Sequence, residues 1–183
     1  LYLENVANYV RQGGAVLVAA GPDFATADSL FRSPLGAVMP AVPTARVREE
    51  AYRPKVTDLG ERHPVTTNLP SRGDWGRWLR QIDVTPNSGN VVMSGIDDSP
   101  LLVLDRVGEG RVALLASDHA WLWSRGYEGG GPQLELLRRL AHWMMKEPEL
   151  EEEALTATAS GQSMQIERRT LSDTVPPVTV TAP

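Results

Sequence analysis

The sequence predicts an α/β fold built around a mixed β-sheet. Near the N-terminus, apolar residues at helical spacing end at a glycine pair, and an unbroken apolar run follows from Ala15 to Ala20. Such a run suits a strand that is covered on both faces, as in a parallel sheet. Further along, the extended runs 101–106 and 111–116 flank a short Gly-containing loop, which predicts a hairpin and therefore an antiparallel portion of the sheet.

The remaining elements follow from the same patterns. Apolar residues recur at helical spacing from Leu134 to Met144, just after Pro132, which predicts a helix in this region. The segment 33–70 is rich in proline and reads as loop with short extended pieces. Other candidate strands share an extended apolar character and are 46–52, 79–84 and 91–94.

Composition excludes several classes of function. The chain has 183 residues and a formal net charge of −5, which argues against a nucleic-acid-binding surface. Because it contains no cysteine, it has no disulfide, thiolate metal site or cysteine nucleophile. No apolar run approaches the ~20 residues of a membrane helix, so we expect no direct membrane insertion by this chain. The three histidines are far apart, and we predict neither a metal site nor a cofactor.

The chain is predicted to contain two domains. Residues 1–147 form the α/β domain, residues 148–160 an acidic linker, and residues 161–183 the start of a separate β domain. The alternating patterns of 164–168 and 178–181 predict the first strands of that β domain. We expect the α/β domain to be truncated at its N-terminus and the chain to be a fragment of a longer protein.

Polar residues follow two of the predicted strands. Asp23 comes after the first apolar run, and Ser117, Asp118 and His119 come directly after the run 111–116. Ligands of open α/β sheets bind beyond the carboxyl ends of parallel strands. If the two strands are parallel, these residues therefore lie along one rim, which is the predicted site.

The rim residues have two interpretations. Adjacent residues of an extended chain point to opposite sides, so Ser117, Asp118 and His119 cannot form a catalytic triad with one another. His119 could act as a base, with Asp118 or Asp23 as further catalytic candidates. The structural alternative, which we favour, is that Ser117 or Asp118 caps the following turn and His119 makes a structural hydrogen bond.

The stretch after the rim offers further ligand-binding candidates. Trp121 and Trp123 either line an aromatic pocket or, as we favour, pack the core. Gly129, Gly130 and Gly131 precede a predicted helix, where free backbone N–H groups can bind an anion. Their spacing fits neither a phosphate-binding loop nor a dinucleotide-binding fingerprint, so a flexible loop is the alternative.

Five further segments carry a family resemblance, and they are 13–24, 33–40, 63–69, 108–112 and 117–121. In this order they resemble class I glutamine amidotransferase-like domains, in particular the putative glutamine amidotransferase branch of that superfamily. The resemblance covers about residues 1–147. It implies a flavodoxin-like three-layer sandwich with a mostly parallel sheet. Large bacterial membrane-anchored proteins carry such domains, which implies a location at the cell envelope as a soluble domain.

The resemblance does not imply amidotransferase chemistry, because that chemistry needs a cysteine nucleophile and the chain has none. Where the nucleophile would stand, the sequence has Gly21, Pro22 and Asp23. We therefore expect a non-catalytic module for binding or assembly, whose partners are proteins or other domains of the parent chain and not nucleic acid. Two alternatives stay open: a hydrolase that uses the Asp118/His119 rim, and a small-molecule sensor.

Overall fold

The helix and strand predicted at the N-terminus are present in the computed structural model, which describes residues 1–161, 163–175, 177 and 179. Helix α1 (Tyr2–Arg11) leads into strand β1 (Ala15–Ala19). The predicted hairpin is also confirmed, as β6 (Pro100–Val107) and β7 (Gly110–Leu115). The predicted helix after Pro132 is confirmed as α4 (Gln133–Met144). The remaining elements are β2 (Ala41–Arg48), β3 (Lys55–Val56), α2 (Asp58–Arg62), β4 (Gln81–Pro86), β5 (Asn90–Ser94), α3 (Trp121–Ser124), β8 (Ala154–Ser160) and β9 (Ser163–Arg169).

The main sheet has five strands in the order β1-β7-β6-β5-β3, and its strands are mixed in direction. Strand β1 pairs with β7 in parallel, with Leu17 opposite Ala113, whereas β7–β6, β6–β5 and β5–β3 are antiparallel pairs. Strands β2 and β4 form a separate antiparallel sheet, and β8 and β9 form another.

The prediction of a flavodoxin-like, mostly parallel sheet is therefore wrong. A parallel neighbour needs a crossover connection of about a dozen residues or more. Between β5 and β7 the connections are only a few residues long, so these strands turn back on one another and pair antiparallel. The long excursion between β1 and β7 leaves room for the parallel pair that these two strands form.

The two faces of the sheet are covered by different layers. On one face, Leu102, Ala113 and Leu115 pack with residues of α4, including Trp143, and with a cluster of tryptophans. On the other face, Val103 and Leu114 pack with Ile82 of the β2–β4 sheet, and Val112 packs with α1. A flavodoxin-like sandwich has helices on both faces, whereas here a two-stranded sheet shares one face with a single long helix. The segment leading into β2 is rich in proline and forms short 310 turns instead of a long helix.

The acidic segment after α4 is attached to the α/β core. The linker predicted over 148–160 contains a 310 turn at Pro148–Leu150 and the whole of β8. The strand predicted over 164–168 lies within β9. Most of the strand predicted over 178–181 lies outside the described residues.

Candidate functional site

The predicted rim exists, because β1 and β7 are parallel and end at the same edge of the sheet. Gly21 follows β1, and Asp118 follows β7. A side-chain carbon at Gly21 would lie 3.3 Å from the Asp118 Oδ2 atom. The condition of the prediction is met, since the two strands are parallel, but the residue after β1 that approaches Asp118 is Gly21 and not a polar side chain.

The central interaction of the rim is an ion pair between Arg80 and Asp118. The Arg80 guanidinium donates through Nη2 to Asp118 Oδ2 at 2.8 Å and to Oδ1 at 3.1 Å, and through Nε to Oδ1 at 3.3 Å. Such a bidentate pair fixes the orientation of both groups. Arg80 Nη1 also lies 3.9 Å from Glu49 Oε1. Both Asp118 oxygens are therefore engaged by a neighbouring side chain.

His119 is held by the backbone of the segment that carries Arg80. Its Nδ1 atom accepts a hydrogen bond from the Leu79 N–H at 3.2 Å, so the ring proton of the neutral imidazole lies on Nε2. Nε2 is 3.7 Å from Asp118 Oδ1. Burial lowers the pKa of His119 below its ordinary value, and Arg80 lowers it further, against the opposing charges of Asp118 and Glu49.

Ser117 is buried at the rim, and its hydroxyl bonds to two backbone groups. Its Oγ donates to the Arg80 carbonyl at 2.7 Å and accepts from the His119 N–H at 3.1 Å. The Tyr52 hydroxyl donates to the same carbonyl at 3.3 Å. Burial raises the pKa of Tyr52 above its ordinary range. Ser117 thus caps the turn after β7, which is the structural role that the sequence favoured.

Asp23 does not join the rim cluster. It is an exposed residue of the 310 turn Pro22–Ala25, and within the described chain its side chain makes no hydrogen bond or ion pair, whereas its carbonyl accepts from Thr26. The sequence therefore placed Asp23 at the correct edge, but within the described chain no side-chain hydrogen bond or ion pair joins it to the other candidates.

The two predicted tryptophans have opposite environments. Trp123 is buried, donates from Nε1 to the Gly76 carbonyl at 2.7 Å, and packs against Trp75 and Trp78 at ring-centroid distances of 5.2 and 4.8 Å. Trp121 is 52% exposed and makes an edge-on contact with the His119 ring at 6.4 Å. Because α3 is helical, the two side chains do not share a face. Only Trp121 is available to a ligand or partner.

The three glycines serve the packing of the loop. Gly129 and Gly130 have φ angles of +92° and +76°, which favour glycine, and their N–H groups bond to the Gly126 and Tyr127 carbonyls. A side-chain carbon at Gly131 would lie 2.4 Å from the Trp123 ring. These contacts explain the glycines without an anion. The three glycines also line an open groove of about 310 Å³, together with Trp75.

A second polar cluster, which sequence reasoning missed, is buried where the acidic segment meets the core. Glu152 accepts from Trp143 Nε1 at 2.8 Å and from Arg106, and its Oε1 atom lies 3.4 Å from His63 Nε2. Burial alone would raise the pKa of Glu152, but these contacts outweigh it and hold that pKa well below its usual range. Arg111, also buried, pairs with Glu151 and stacks on Trp143 at 4.9 Å.

Sequence reasoning also missed Arg80 and Glu49, which complete the rim. Arg80 lies within the predicted strand 79–84, and nothing in that pattern relates it to Asp118, 38 positions later. Glu152 lies in the acidic run that the sequence analysis interpreted as a linker. That interpretation was misleading here, because a run of glutamates is usually exposed to solvent.

Two further observations concern metals and membranes. Among residues 1–161, 163–175, 177 and 179, no group of three His, Asp or Glu side chains is placed to hold a metal ion. Within the same ranges, none of the helices is both long and apolar enough to span a bilayer.

No protein-family model matches the chain, and no curated protein does either. Solved structures do match. The cytoplasmic protein STM3548 from Salmonella typhimurium is 20% identical, with a TM-score of 0.65 over 78% of this chain and 59% of that one. The cytoplasmic protein STM1381 from Salmonella typhimurium LT2 is also 20% identical, with a TM-score of 0.64 over 78% and 60%. The cold-adapted β-galactosidase from Rahnella sp. R3 is 14% identical, with a TM-score of 0.56 over 85% of this chain and 23% of that one.

At these identities the similarity shows the fold alone, and the chain spans about three-fifths of the length of the two Salmonella structures. The comparisons overturn two predictions. The resemblance to glutamine amidotransferase-like domains is wrong, since the structures matched are described as two cytoplasmic proteins and a glycosidase. The predicted location at the cell envelope is contradicted by the two Salmonella proteins, which are described as cytoplasmic.

Proposed function

We propose that this chain is a non-catalytic module used for binding or assembly. The observation that carries the proposal is the pairing within the rim, where Asp118, His119 and Ser117 are already engaged by the protein itself. Asp118 is held by Arg80, His119 Nδ1 by the Leu79 N–H, and Ser117 Oγ by two backbone groups.

The pairing removes the groups that hydrolysis needs. A general base must offer a free lone pair within hydrogen-bond reach of the proton that it abstracts. The Nδ1 lone pair of His119 is occupied, and Nε2 carries the proton and faces Asp118. Ser117 meets the backbone N–H of His119 and not its ring, so no activated nucleophile is assembled. The geometry therefore does not favour the hydrolase alternative.

Two observations support a binding role. Trp121 is half exposed and contacts the His119 ring at the rim, and tryptophan is enriched where protein interfaces gain most of their energy. In addition, the aligned region makes up only 23% of the Rahnella β-galactosidase, so the same fold occurs there as one part of a larger chain. The partner is another protein or another domain of a longer chain.

The proposal is tested by comparing turnover of the native chain with that of His119→Ala and Asp118→Asn. Chromogenic ester, amide, phosphate and glycoside probes cover the main hydrolase classes. We expect the three proteins to be indistinguishable from buffer, because neither His119 nor Asp118 is free to act as a base. A general base contributes ~10²–10⁴-fold, so turnover above background that disappears in His119→Ala would contradict the proposal.

The sensor alternative is favoured by one observation, the open groove beside Gly129–Gly131. Its volume of about 310 Å³ is at the lower end for small-molecule sites. Trp75 lines the groove, so a ligand there should change tryptophan fluorescence in a panel of sugars, nucleotides and amino acids. Saturable quenching with a matching rise in Tm would favour the sensor over a partner-binding module.

A further inference from the structure

Trp75 also lines a second groove, which does not include the three glycines. This groove has a volume of about 310 Å³ and lies between the segment 53–56, Glu61 of α2 and the loop residues Arg72, Gly73 and Trp75. The volume is at the lower end for small-molecule sites, so a ligand of this groove would be small. All of its lining residues belong to the middle of the chain.

Both walls of the groove are fixed by hydrogen bonds. Just before Arg53, Tyr52 and Trp78 exchange backbone hydrogen bonds at 2.9 and 2.8 Å, and just after it β3 pairs with β5. On the loop side, Trp75 Nε1 donates to the Pro70 carbonyl at 2.8 Å. Arg53 Nη1 donates to the Trp75 carbonyl and so joins the two walls. A site built in this way costs little ordering when a ligand binds.

Apolar residues supply part of the lining. Pro54 and Trp75 are buried, and Val56 is half-buried. A side-chain carbon at Gly73 would meet no other atom within 4 Å, so the groove is open at this point. An apolar ring placed here would leave water for contact with carbon atoms of the protein.

Three cations line the same groove, against one carboxylate. Arg72 is already paired with that carboxylate, which belongs to Glu61. Lys55 lies 3.3 Å from Asp98, and both of these side chains are exposed. Arg53 is exposed and forms no ion pair within the part of the chain that the structure describes. The groove therefore contains one cation that has no carboxylate partner.

The free atoms of Arg53 are those with which other arginines of this protein hold carboxylates. The Nε and Nη2 groups of an arginine match the two oxygens of a carboxylate. In Arg53, Nη1 is used by the Trp75 carbonyl, whereas Nε and Nη2 make no hydrogen bond to the described residues. Four other arginines use Nε and Nη2 for this purpose, in the pairs Arg46–Asp83, Arg77–Glu128, Arg80–Asp118 and Arg138–Glu135.

We propose that this groove binds a small organic carboxylate with a flat apolar body of one or two rings. The carboxylate accepts hydrogen bonds from Nε and Nη2 of Arg53, and the rings lie against Pro54, Val56 and Trp75. Lys55 adds to the attraction for an anion. The groove does not include the rim residues, so the inference goes beyond the proposed function, and its failure would leave that proposal standing.

The first experiment is a ¹H–¹⁵N NMR titration of the native chain with 1-naphthoate at constant ionic strength. We expect saturable shifts in 53–56 and 72–75, including the Arg53 Nε–H signal. From the usual binding energy per non-hydrogen atom, the dissociation constant should be about 1 mM or lower. Two further probes separate the contributions, since 1-naphthalenemethanol has the rings without the charge and acetate has the charge without the rings. Both should bind at least about tenfold more weakly.

The second experiment compares Arg53→Gln with a matched control, Arg46→Gln. Arg53→Gln removes the two free donors, so the dissociation constant for 1-naphthoate should rise at least about tenfold. Arg46 is 76% exposed and already holds Asp83 through Nε and Nη2, so its replacement should leave binding unchanged.

A third variant guards against a structural effect of Arg53→Gln, which also loses the bond to the Trp75 carbonyl. Arg53→Lys keeps the charge without the planar donor pair and should bind 1-naphthoate with intermediate affinity. Circular dichroism spectra should stay native for all variants.

Four results would overturn the proposal. The first is the absence of saturable shifts at about ten times the expected dissociation constant. The second is equal binding of 1-naphthalenemethanol, which would show that the charge is not recognised. The third is an equal loss of affinity in Arg53→Gln and Arg46→Gln. The fourth is a set of shifts centred on 129–131, which would place the ligand in the groove beside the three glycines.

Discussion

At the residue scale, the chemical reactivity of the rim residues depends on the hydrogen bonds that each polar group already makes within the protein. Asp118 would be a candidate acid or nucleophile if its carboxylate were free, but the bidentate pair with Arg80 holds both oxygens. His119 would be a candidate base if Nδ1 were free, but the Leu79 N–H occupies that lone pair. Asp118 and His119 are residue types that occur in catalytic sites, but their hydrogen bonds hold them in place within the protein.

A titration of His119 by NMR checks this description. Burial and Arg80 lower its pKa, so the midpoint should lie below the ordinary value of about 6.5. In Arg80→Gln the nearby cation is lost and Asp118 is left unpaired, so the midpoint should rise. Arg138→Gln, in a remote ion pair with Glu135 on α4, serves as the control and should leave the midpoint unchanged. A native midpoint at or above about 6.5 would show that the imidazole is more exposed than described.

At the element scale, the short helix α3 determines which tryptophan is structural. The sequence separation of two suggests a shared face on a strand, but a helical turn directs Trp123 into the core and leaves Trp121 outside. The glycine loop then folds against the Trp123 ring, where Gly131 leaves no space for a side chain. The loop and the helix thus form one packed unit with Trp75 and Trp78.

The two tryptophans should differ strongly on truncation. Trp123→Ala leaves a cavity in the aromatic cluster and the Gly76 carbonyl without its donor, so unfolding free energy should fall by about 3–5 kcal/mol. Trp121→Ala removes an exposed ring and should change it by less than about 0.5 kcal/mol. Urea unfolding followed by circular dichroism measures both. Similar losses for the two variants would mean that α3 does not separate them as described.

At the scale of the whole molecule, the acidic segment after α4 joins the β8–β9 hairpin to the core. Glu152 is buried against Arg106 and Trp143, and Glu151 bonds to Arg106 and Arg111. Because β6, β7 and α4 all contribute partners, this contact forms only when the sheet and the helix are in place. The segment is therefore part of the folded structure and not a free tether.

Glu152→Gln should destabilise the chain by about 1–3 kcal/mol at pH 7, since Arg106 and the buried Trp143 indole lose a charged acceptor. Glu149→Gln, an exposed neighbour without a side-chain partner among the described residues, should have little effect. The pKa of Glu152 is lowered by folding, so its contribution is complete above the unfolded pKa of about 4.3 and is lost progressively as pH falls from that value through the lower pKa of the folded state.

The difference in unfolding free energy between the native chain and Glu152→Gln should therefore become smaller as the pH falls below about 5. Native stability should also fall over this range, because the pKa of Glu128 and of Glu135 is lowered to about 2 by hydrogen bonds from Arg77 and from Arg138 and Arg139. Urea midpoints measured at several pH values test both statements. A gap that stays constant between pH 7 and pH 3 would show that Glu152 is not ionised against these partners.

The local elements could be read from the sequence because their signals are local. The apolar run of β1, the hairpin β6–β7 and the periodicity of α4 depend on neighbouring residues, and all three were predicted within a few positions. The rim was also predictable, since it follows from two strands that end at one edge. The sequence alone also excluded cysteine chemistry.

The tertiary structure decided the features that depend on distant residues. Strand direction follows from the length of connections and the layer beneath, which is why the sheet is mostly antiparallel. Arg80 meets Asp118, and Glu152 meets Trp143 and Arg106, only because packing brings separate segments together. The sequence therefore showed which side chains could do chemistry. The fold decided which of their atoms are already hydrogen-bonded and which of their charges are buried. Both depend on residues that are remote along the chain.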